Sequence, residues 1–218
     1  MKIETYTYDL IDSKMYVLIE ESSALIIDPC ISEKAKKSIK DKKIRDIKIV
    51  LTHEHYDHIS GIEFFRNLID NCEVICSEQC HINMQSPLKN GSKYFKAIFL
   101  CKDEALLSEA EKIQPVSYSG DLFFNVMMSF EWHGHTVELQ ETPGHSLGSI
   151  CIKLDNKCLF TGDSLLKNAT VITKLPGGSK EQYNKITVPY LKGLDEDLYV
   201  YPGHGEGGVL SEFVIVDA

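Results

Sequence analysis

The stretch Thr52-His53-Glu54-His55-Tyr56-Asp57-His58 carries four potential metal ligands within six positions. His53 and His55 are separated by one residue, so a loop or a bent strand end can direct both imidazoles to one metal ion. Asp57 and His58 are adjacent and can turn toward a second ion close by. Imidazole and carboxylate are the ligands that hydrolytic Zn²⁺, Mn²⁺ and iron centres use. The stretch therefore predicts a site for two divalent metal ions.

A two-metal centre, with its ions roughly 3.5 to 4 Å apart, needs a bridging carboxylate and further ligands from elsewhere in the chain. His145, Asp163 and His204 are available, and a glycine precedes each of them. A residue without a Cβ lets the backbone turn sharply and pass close to a crowded site. The candidate metal ligands are thus His53, His55, Asp57, His58, His145, Asp163 and His204.

Hydrophobic and β-branched runs predict a strand ahead of each ligand group. The run at 47–51 leads directly to His53, and apolar residues at helical spacing follow from Ile62 to Ile69. Other strands are predicted at 15–20, 23–27, 130–132, 136–139, 149–154, 157–160 and within 194–201, with a tight hairpin turn at Asp155-Asn156 and a helix capped by Ser32 at 34–40. A rigid sheet holds the loops at its strand ends in place, so the ligands stand where a site is expected.

The composition is that of an ordinary globular domain, since 43% of the 218 residues are hydrophobic and 25% are charged. A formal net charge of −9 disfavours nucleic-acid binding. No apolar run approaches the roughly 20 residues of a membrane span, and Met1-Lys2-Ile3-Glu4-Thr5 has no signal-peptide core. The seven cysteines are an odd number without a disulfide-scaffold pattern. We therefore expect a cytoplasmic protein with no nucleic-acid or membrane partner; its oligomeric state is open.

No linker rich in Pro, Gly or Ser marks a boundary, so we expect a single domain over 1–218. The segment 85–119 differs from its surroundings, with Pro87, Asn90-Gly91 and then a helical pattern at 104–113. It is a candidate insertion beside the site. Its phenylalanines and leucines either form a lid over an apolar substrate or complete the core, and both interpretations remain open.

Four motifs resemble the metallo-β-lactamase fold superfamily: Thr-His-x-His-x-Asp-His at 52–58, Thr-Pro-Gly-His-Ser-x-Gly-Ser at 142–149, Phe-Thr-Gly-Asp at 160–163 and Tyr-Pro-Gly-His-Gly at 201–205. The chain is most similar to the glyoxalase II-like hydrolases, and Leu175-Pro176-Gly177-Gly178 resembles a segment of their short single-domain members. The resemblance spans nearly the whole chain. It implies an α/β (α+β) fold, a four-layer αββα sandwich of two mixed sheets flanked by helices, with the metals at one edge between the sheets.

The resemblance also assigns the ligands to two ions. His53, His55 and His145 would hold the first metal; Asp57, His58 and His204 would hold the second, with Asp163 bridging. Two divalent ions, most simply zinc with manganese or iron as alternatives, lower the pKa of a bridging water. The resulting hydroxide would attack an ester, thioester or lactone carbonyl of a small-molecule substrate. Asp57 would orient this nucleophile as the catalytic residue.

Two departures from the glyoxalase II pattern bear on the substrate. Glyoxalase II carries a C-terminal helical domain that helps to grip glutathione, whereas only residues 206–218 follow the last ligand here. Ile172 stands where similar short hydrolases often carry an arginine before Leu-Pro-Gly-Gly. We therefore expect glutathione thioesters to be poor substrates. Cys30, at a position that is often glycine in similar proteins, is interpreted as structural.

The hydrolase is weighed against two other classes of function, redox enzymes and non-catalytic metal binding, and against the nucleases of the superfamily. Persulfide dioxygenases of the superfamily use a single iron, held by the equivalents of His53, His145 and Asp163, and this is the main alternative. Flavodiiron-type oxygen reductases usually have glutamate in place of His55, and the superfamily's nucleases do not suit an acidic chain. A metal-binding domain without catalysis is the third class, which the complete ligand set disfavours.

Overall fold

Two six-stranded β-sheets form the centre of the structure, a computed structural model that describes residues 2–100 and 104–218. The strands are β1 (Ile3–Tyr8), β2 (Ser13–Glu20), β3 (Ser23–Ile27), β4 (Asp46–Val50), β5 (Asn71–Ser77), β6 (Leu122–Phe124), β7 (Met127–Trp132), β8 (His135–Glu141), β9 (Ile150–Leu154), β10 (Cys158–Gly162), β11 (Tyr199–Pro202) and β12 (Gly208–Val209). The first sheet has the order β1-β2-β3-β4-β5-β6 and the second β12-β11-β10-β9-β8-β7.

Both sheets are mixed. In the first, β1, β2 and β3 pair antiparallel and β3 to β6 pair parallel. In the second, β7 to β10 pair antiparallel, β10 pairs with β11 in parallel, and β12 is antiparallel to β11. Parallel neighbours end at the same edge of a sheet, so the loops that follow them meet there.

Helices cover the outer faces of the two sheets. The α-helices are α1 (Glu33–Asp41), α2 (Tyr56–Ile59), α3 (Ile62–Arg66), α4 (Glu78–Met84), α5 (Glu104–Ala110), α6 (Lys180–Gln182) and α7 (Val188–Lys192). Short 3₁₀ helices lie at Ser92–Phe99 and Leu210–Glu212, and a π-helical turn, Tyr183–Thr187, joins α6 to α7. As predicted, Ser32 caps α1, and its Oγ accepts a hydrogen bond from the Ala35 amide at 3.2 Å.

Three apolar cores separate four layers. Along β3, Ala24 and Ile26 pack toward α1, α3 and α4, whereas Leu25 and Ile27 pack toward the second sheet. A third core lies between the outer face of the second sheet and α7. Side chains alternate across a strand, so a strand that is buried on both faces belongs to an inner layer. The four-layer αββα sandwich predicted from the sequence is confirmed.

The described part of the segment 85–119 packs as a small aromatic core. Phe95 and Phe99 are buried, and the Tyr56 ring contacts Phe95 with ring centroids 4.9 Å apart. Helix α5 ends at Ala110 rather than at 113 as the pattern predicts, and Pro115 follows shortly after. Residues 101–103 of this segment lie outside the described residues. The described residues of this segment complete a core beside Tyr56. That the chain is a single domain, and that this segment is an insertion or lid, stay predictions.

Two further local features agree with the sequence patterns. Asp155 and Asn156 have φ angles of 52° and 50°, the left-handed values of a tight hairpin turn between β9 and β10. Within residues 2–100 and 104–218, no helix combines the length and apolar character needed to cross a membrane.

Candidate metal centre

The seven predicted ligands lie together at one edge of the sandwich, in loops that follow strand ends. His53 and His55 come after β4, and Asp57 and His58 lie on α2. The other three lie further along the chain: His145 in the loop between β8 and β9, Asp163 directly after β10, and His204 after β11. The structure thus brings residues from four separate strand ends into one place. Their binding of metal stays a prediction that the geometry below supports.

The first group is called the three-histidine cluster and consists of His53, His55 and His145. Each offers a ring nitrogen, and these atoms all lie within 4.8 Å of one another. His145 Nε2 is 2.9 Å from His55 Nδ1. Three imidazole nitrogens converging in this way match the ligand sets of zinc and iron sites.

The second group is called the Asp57 cluster and consists of Asp57, His58 and His204. Asp57 Oδ2 lies 3.3 Å from His58 Nε2 and 3.3 Å from His204 Nε2. His58 is fully buried, whereas the His204 side chain is 24% exposed. The Asp57 cluster therefore offers one carboxylate and two imidazoles, and it opens to solvent at His204.

Asp163 lies between the two clusters. Its Oδ2 is 3.4 Å from His145 Nε2 and 3.6 Å from His204 Nε2, and its Oδ1 is 3.6 Å from His58 Nε2. The backbone of Gly203 passes so close that a Cβ there would collide with Asp163 Oδ1. This placement is compatible with the bridging role expected for Asp163 in a two-metal site.

Unpartnered ligand atoms test whether the site suits a cation. Among the described residues, four buried side-chain nitrogen or oxygen atoms have no hydrogen-bond partner: His53 Nε2, His58 Nε2, Asp163 Oδ1 and Ser60 Oγ. Three of the four belong to this site. A buried polar atom without a partner costs about 1–3 kcal/mol, a cost that a coordinated ion would remove. The residues present therefore fit a divalent metal centre.

Asp28 orients ligands of both clusters, a role that the sequence patterns do not reveal. Its carboxylate accepts hydrogen bonds from the Thr52 amide at 2.7 Å and from the Thr52 hydroxyl at 2.5 Å. The hydroxyl proton is therefore committed to Asp28, so Thr52 Oγ1 accepts from His53 Nδ1 at 3.0 Å. Asp28 also accepts from His58 Nδ1 at 2.9 Å. Both rings are thus held with Nε2 free to bind metal.

Asp28 itself comes within 4.8 Å of ring nitrogens of His53 and His58, so it is also a geometrical candidate for a ligand. Its oxygens already accept three hydrogen bonds from Thr52 and His58. We interpret it as a supporting residue for that reason. In the sequence, Asp28 directly follows the strand predicted at 23–27, which places it near the site without indicating this role.

The third histidine ring is fixed from the opposite side of the site. His145 Nδ1 donates to the Ile172 carbonyl at 2.8 Å, which again leaves Nε2 for a metal. The π-helical turn also contacts the loop that carries His145, because Thr187 Oγ1 donates a hydrogen bond to the Pro143 carbonyl at 2.7 Å. Tyr183 Oη donates to the carbonyl of Ser164, next to Asp163, at 3.1 Å. A π-helical turn at such a position is typical of functional sites.

The two clusters differ in protonation. Burial lowers the pKa of His53 well below its usual range, lowers that of His55 to about 3, and lowers that of His145. Neighbouring imidazoles add to this effect for His53 and His55. The three-histidine cluster is therefore neutral at pH 7, the form in which imidazole binds metal.

Carboxylates reverse the effect of burial in the Asp57 cluster. Burial alone would lower the pKa of His58, but Asp57, Asp163 and Asp28 raise it well above its usual range. The pKa of His204 is likewise raised against burial, by its hydrogen bond to Asp57 and by Asp163. Burial would raise the pKa of Asp57, and His58 together with His204 lowers it well below the usual range. The imidazoles of His58 and His204 thus tend to bind protons at the ring nitrogens that would otherwise bind a metal cation.

Cys30 and Glu54 are buried beside the ligands. Burial raises the pKa of the Cys30 thiol to about 12, which agrees with the structural interpretation. Burial also raises the pKa of Glu54, whose side chain points away from the metal position into a pocket formed with Asn83 and Ser146.

Comparison with known proteins places the chain in a family. The model of the metallo-β-lactamase superfamily matches residues 9–204. The chain belongs to this superfamily. A relative from Bacillus subtilis, named "Probable metallo-hydrolase YqgX", is 30% identical over 205 residues, which cover 93% of this chain and 90% of the relative.

Two solved structures share the fold. The BLEG-1 B3 metallo-β-lactamase superposes with a TM-score of 0.77 at 23% identity, covering 97% of this chain and 95% of its own. The protein TTHA1623 in a di-iron-bound form superposes with a TM-score of 0.74 at 20% identity, covering 96% of each chain. Together with the His and Asp clusters, the family places this chain among the metal-dependent hydrolases with a divalent metal site.

Proposed function

We propose that this metallo-β-lactamase superfamily member is a dinuclear hydrolase that cleaves an ester, thioester or lactone. The observation that carries the proposal is the convergence of two three-ligand clusters on one central carboxylate, Asp163. The di-iron form of a protein with the same fold is consistent with it. Zinc is the first expectation for the native metal, and manganese or iron are alternatives.

The side chains divide the work between binding and orientation. Two bound divalent cations would supply a Lewis acid for the carbonyl oxygen and would lower the pKa of a water molecule toward neutrality. Asp57 remains ionised, so its carboxylate can hold a water molecule and orient its lone pair toward a substrate carbonyl. His55, Asp163 and His204 are the ligands that are only partly buried, and the substrate would enter on their side.

The mouth of the site favours an apolar substrate. The Ile172 carbonyl is bonded to His145, which places this residue beside the three-histidine cluster, and Ile172 is 57% exposed. On the other side, the Tyr56 amide donates to the Asn90 carbonyl at 2.8 Å, so the segment 85–119 borders the loop that carries the ligands. We propose an apolar acyl or lactone group there, rather than the charged glutathione of glyoxalase II substrates.

The test is a substrate panel on protein whose metal content has been measured. Protein purified without added metal is analysed for zinc, manganese and iron, then stripped with a chelator and reloaded with each ion. Thioesters, lactones and simple esters are compared over a series of acyl chain lengths. We expect hydrolysis to vanish on stripping, to return with Zn²⁺ or Mn²⁺, and to increase with acyl length.

Two results would count against this proposal. If no divalent ion restored hydrolysis of any member of the panel, the chemistry would be of another kind. If Ile172→Arg left the preference for apolar acyl groups unchanged, compared with Ile172→Leu as the matched control, the proposed role of the mouth would be wrong.

A mononuclear iron persulfide dioxygenase is the second candidate. His53, His145 and Asp163 lie together and form a set of two histidines and one carboxylate, which suits non-haem iron. One iron per chain, combined with oxygen uptake on a persulfide, would replace the hydrolase proposal. Two metals per chain without oxygen uptake would support the hydrolase.

The remaining expectations concern the setting of the enzyme. We propose a small-molecule substrate, no nucleic-acid or membrane partner and a cytoplasmic location. The acidic net charge of −9 supports the absence of a nucleic-acid partner.

A further inference from the structure

Glu54 is a buried carboxylate directly behind the three-histidine cluster, and the proposed chemistry does not use it. It stands between the ligands His53 and His55 in sequence and is 0% exposed. Glu54 Oε1 accepts a hydrogen bond from Asn83 Nδ2 at 2.8 Å, and Oε2 accepts one from Ser146 Oγ at 2.8 Å. The side chain thus connects the ligand loop after β4 with two distant parts of the chain.

Both partners belong to elements that border the cluster. Asn83 lies on α4, and its Oδ1 accepts from Gln79 Nε2 at 2.9 Å, so its amide group is held in one orientation. Ser146 follows His145 directly. The Ser146 amide donates to Ser149 Oγ at 3.1 Å, and the Gly144 amide donates to the Ser146 carbonyl at 3.0 Å. The loop that carries His145 is therefore anchored through Ser146.

The pocket around Glu54 is shaped to the carboxylate. A Cβ on Gly148 would collide with Glu54 Oε2, and a Cβ on Gly177 would lie 3.7 Å from Oε1. Each carboxylate oxygen receives a donor from a different element. A glutamine of the same size lacks one acceptor: its NH₂ group would face the Asn83 amide nitrogen, or would face Ser146 Oγ, whose hydroxyl would then have to leave residue 54 and turn toward Ser149 Oγ. The two donors as they stand match the two acceptor oxygens of a carboxylate.

We propose that Glu54 is a positioning residue that fixes His145 against His53 and His55 and thereby sets the metal affinity of the three-histidine cluster alone. The inference rests on the proposed metal-binding role of these ligands. The ring of His145 is held at Nδ1 by Ile172, and its backbone is held through Ser146 by Glu54. Loosening the second anchor lets Nε2 move away from the other two nitrogens.

The Asp57 cluster lies outside this network. Its His58 ring is held by Asp28, and His204 follows β11, where the Lys14 amide donates to the Gly203 carbonyl at 2.8 Å. Neither contact involves Glu54, Asn83 or Ser146. A change at Glu54 should therefore weaken one metal site and spare the other, which a general loss of folding stability would not do.

The experiment measures metal binding rather than hydrolysis. Metal-stripped full-length protein is titrated with Zn²⁺ by calorimetry and with Co²⁺ by visible absorption, in wild type and in Glu54→Gln. We expect one binding step to weaken about 10- to 100-fold, the range found when an outer partner of a metal ligand is lost. The other step should stay within about twofold.

The affected step is assigned in a background that removes the other site. Asp57→Ala leaves the three-histidine cluster as the remaining site, and adding Glu54→Gln should weaken its single step by the same factor. Ile39→Val, a buried change on the distant helix α1, is the control for stability alone and should alter neither step.

Ser146→Ala is the milder variant, since it removes one donor and leaves the carboxylate in place. It should weaken the same step by a smaller factor, and it decides the question if Glu54→Gln does not fold. Unchanged affinity in every variant, or equal weakening of both steps, overturns the proposal. A wild type that binds two ions but hydrolyses nothing would refute the proposed hydrolase while leaving this inference to be judged by the titrations.

Discussion

The two halves of the candidate metal centre differ in charge, burial and support. The three-histidine cluster has neutral ligands whose pKa values are lowered, and its His53 and His145 are almost fully buried. The Asp57 cluster pairs a carboxylate with imidazoles whose pKa values are raised, and it opens to solvent at His204. The three-histidine cluster is therefore suited to binding a metal ion. The Asp57 cluster offers an ionised carboxylate and an opening to solvent, both of which the proposed reaction uses.

Support for the ligands is shared in one place and separate elsewhere. Asp28 contacts His58 directly and reaches His53 only through Thr52. The Ile172 carbonyl accepts a hydrogen bond from the His145 ring and so supports the three-histidine cluster rather than the Asp57 cluster. The two clusters can therefore be perturbed together at Asp28 or one at a time at their own partners, which makes the comparison testable.

The largest effect is expected for Asp57→Ala. Hydrolysis should fall by about 10²- to 10⁴-fold, because the residue proposed to orient the attacking water and to bind one ion is lost. At least one metal per chain should remain, in the three-histidine cluster. The measurement is kcat/KM on the best panel substrate together with metal content, and His81→Ala, outside the centre, is the control. Unchanged hydrolysis would contradict the role assigned to Asp57.

Asp28→Asn should weaken both clusters. Asparagine tolerates the left-handed φ of 53° at this position, so the backbone is preserved while an acceptor is lost. We expect the affinity of both metal-binding steps to fall about 10- to 100-fold in calorimetric titration. Weakening of one step alone would show that Asp28 supports a single cluster.

Thr52→Val should separate the clusters again. The substitution keeps the shape and removes the hydroxyl that accepts from His53 Nδ1, whereas the contact between Asp28 and His58 remains. Affinity of the three-histidine cluster should fall about tenfold, with little change at the Asp57 cluster. Titration of the Asp57→Ala variant with and without Thr52→Val isolates metal binding to the three-histidine cluster. Equal affinities in the two variants would argue that the Thr52 hydroxyl does not support His53.

The smallest effect is a difference in proton release. The pKa values of His58 and His204 are raised above 6.5, so a metal entering the Asp57 cluster near neutral pH displaces protons, about one to two per ion. Its affinity should fall as the pH drops through those raised values. The three-histidine cluster, with the pKa of His55 near 3, should release almost none. Calorimetry in buffers of different ionisation enthalpy measures both; equal release from the two steps would remove the distinction.

Much of the candidate centre could be predicted because its ligands lie in short, recognisable sequence motifs. The spacing from His53 to His58 and the glycines before His145, Asp163 and His204 identify all seven residues that the structure brings together. Strands β2, β3 and β4, the capped helix α1 and the hairpin at Asp155-Asn156 were also predicted, since periodicity and turn chemistry are properties of neighbouring residues.

Other elements were not predicted. Strand β1 is only half-buried and β6 has three residues, so the sequence signal of each is weak. The helical run from α6 through the π-helical turn to α7 has no strong apolar pattern in its first turn, where no residue is buried. Such elements are stabilised by packing against the rest of the two sheets, and the local sequence does not show which distant residues they will contact.

By itself the sequence determined the ligand types, their order and the strand ends that carry them, because these depend on residue chemistry and on neighbours along the chain. Only the tertiary structure decided which side chains support the ligands. Asp28 meets His58 across 30 positions, and Glu54 meets Ser146 across 92. Contacts between residues so far apart are set by how the sheets and loops pack, and that packing gives the two clusters their different charge, burial and support.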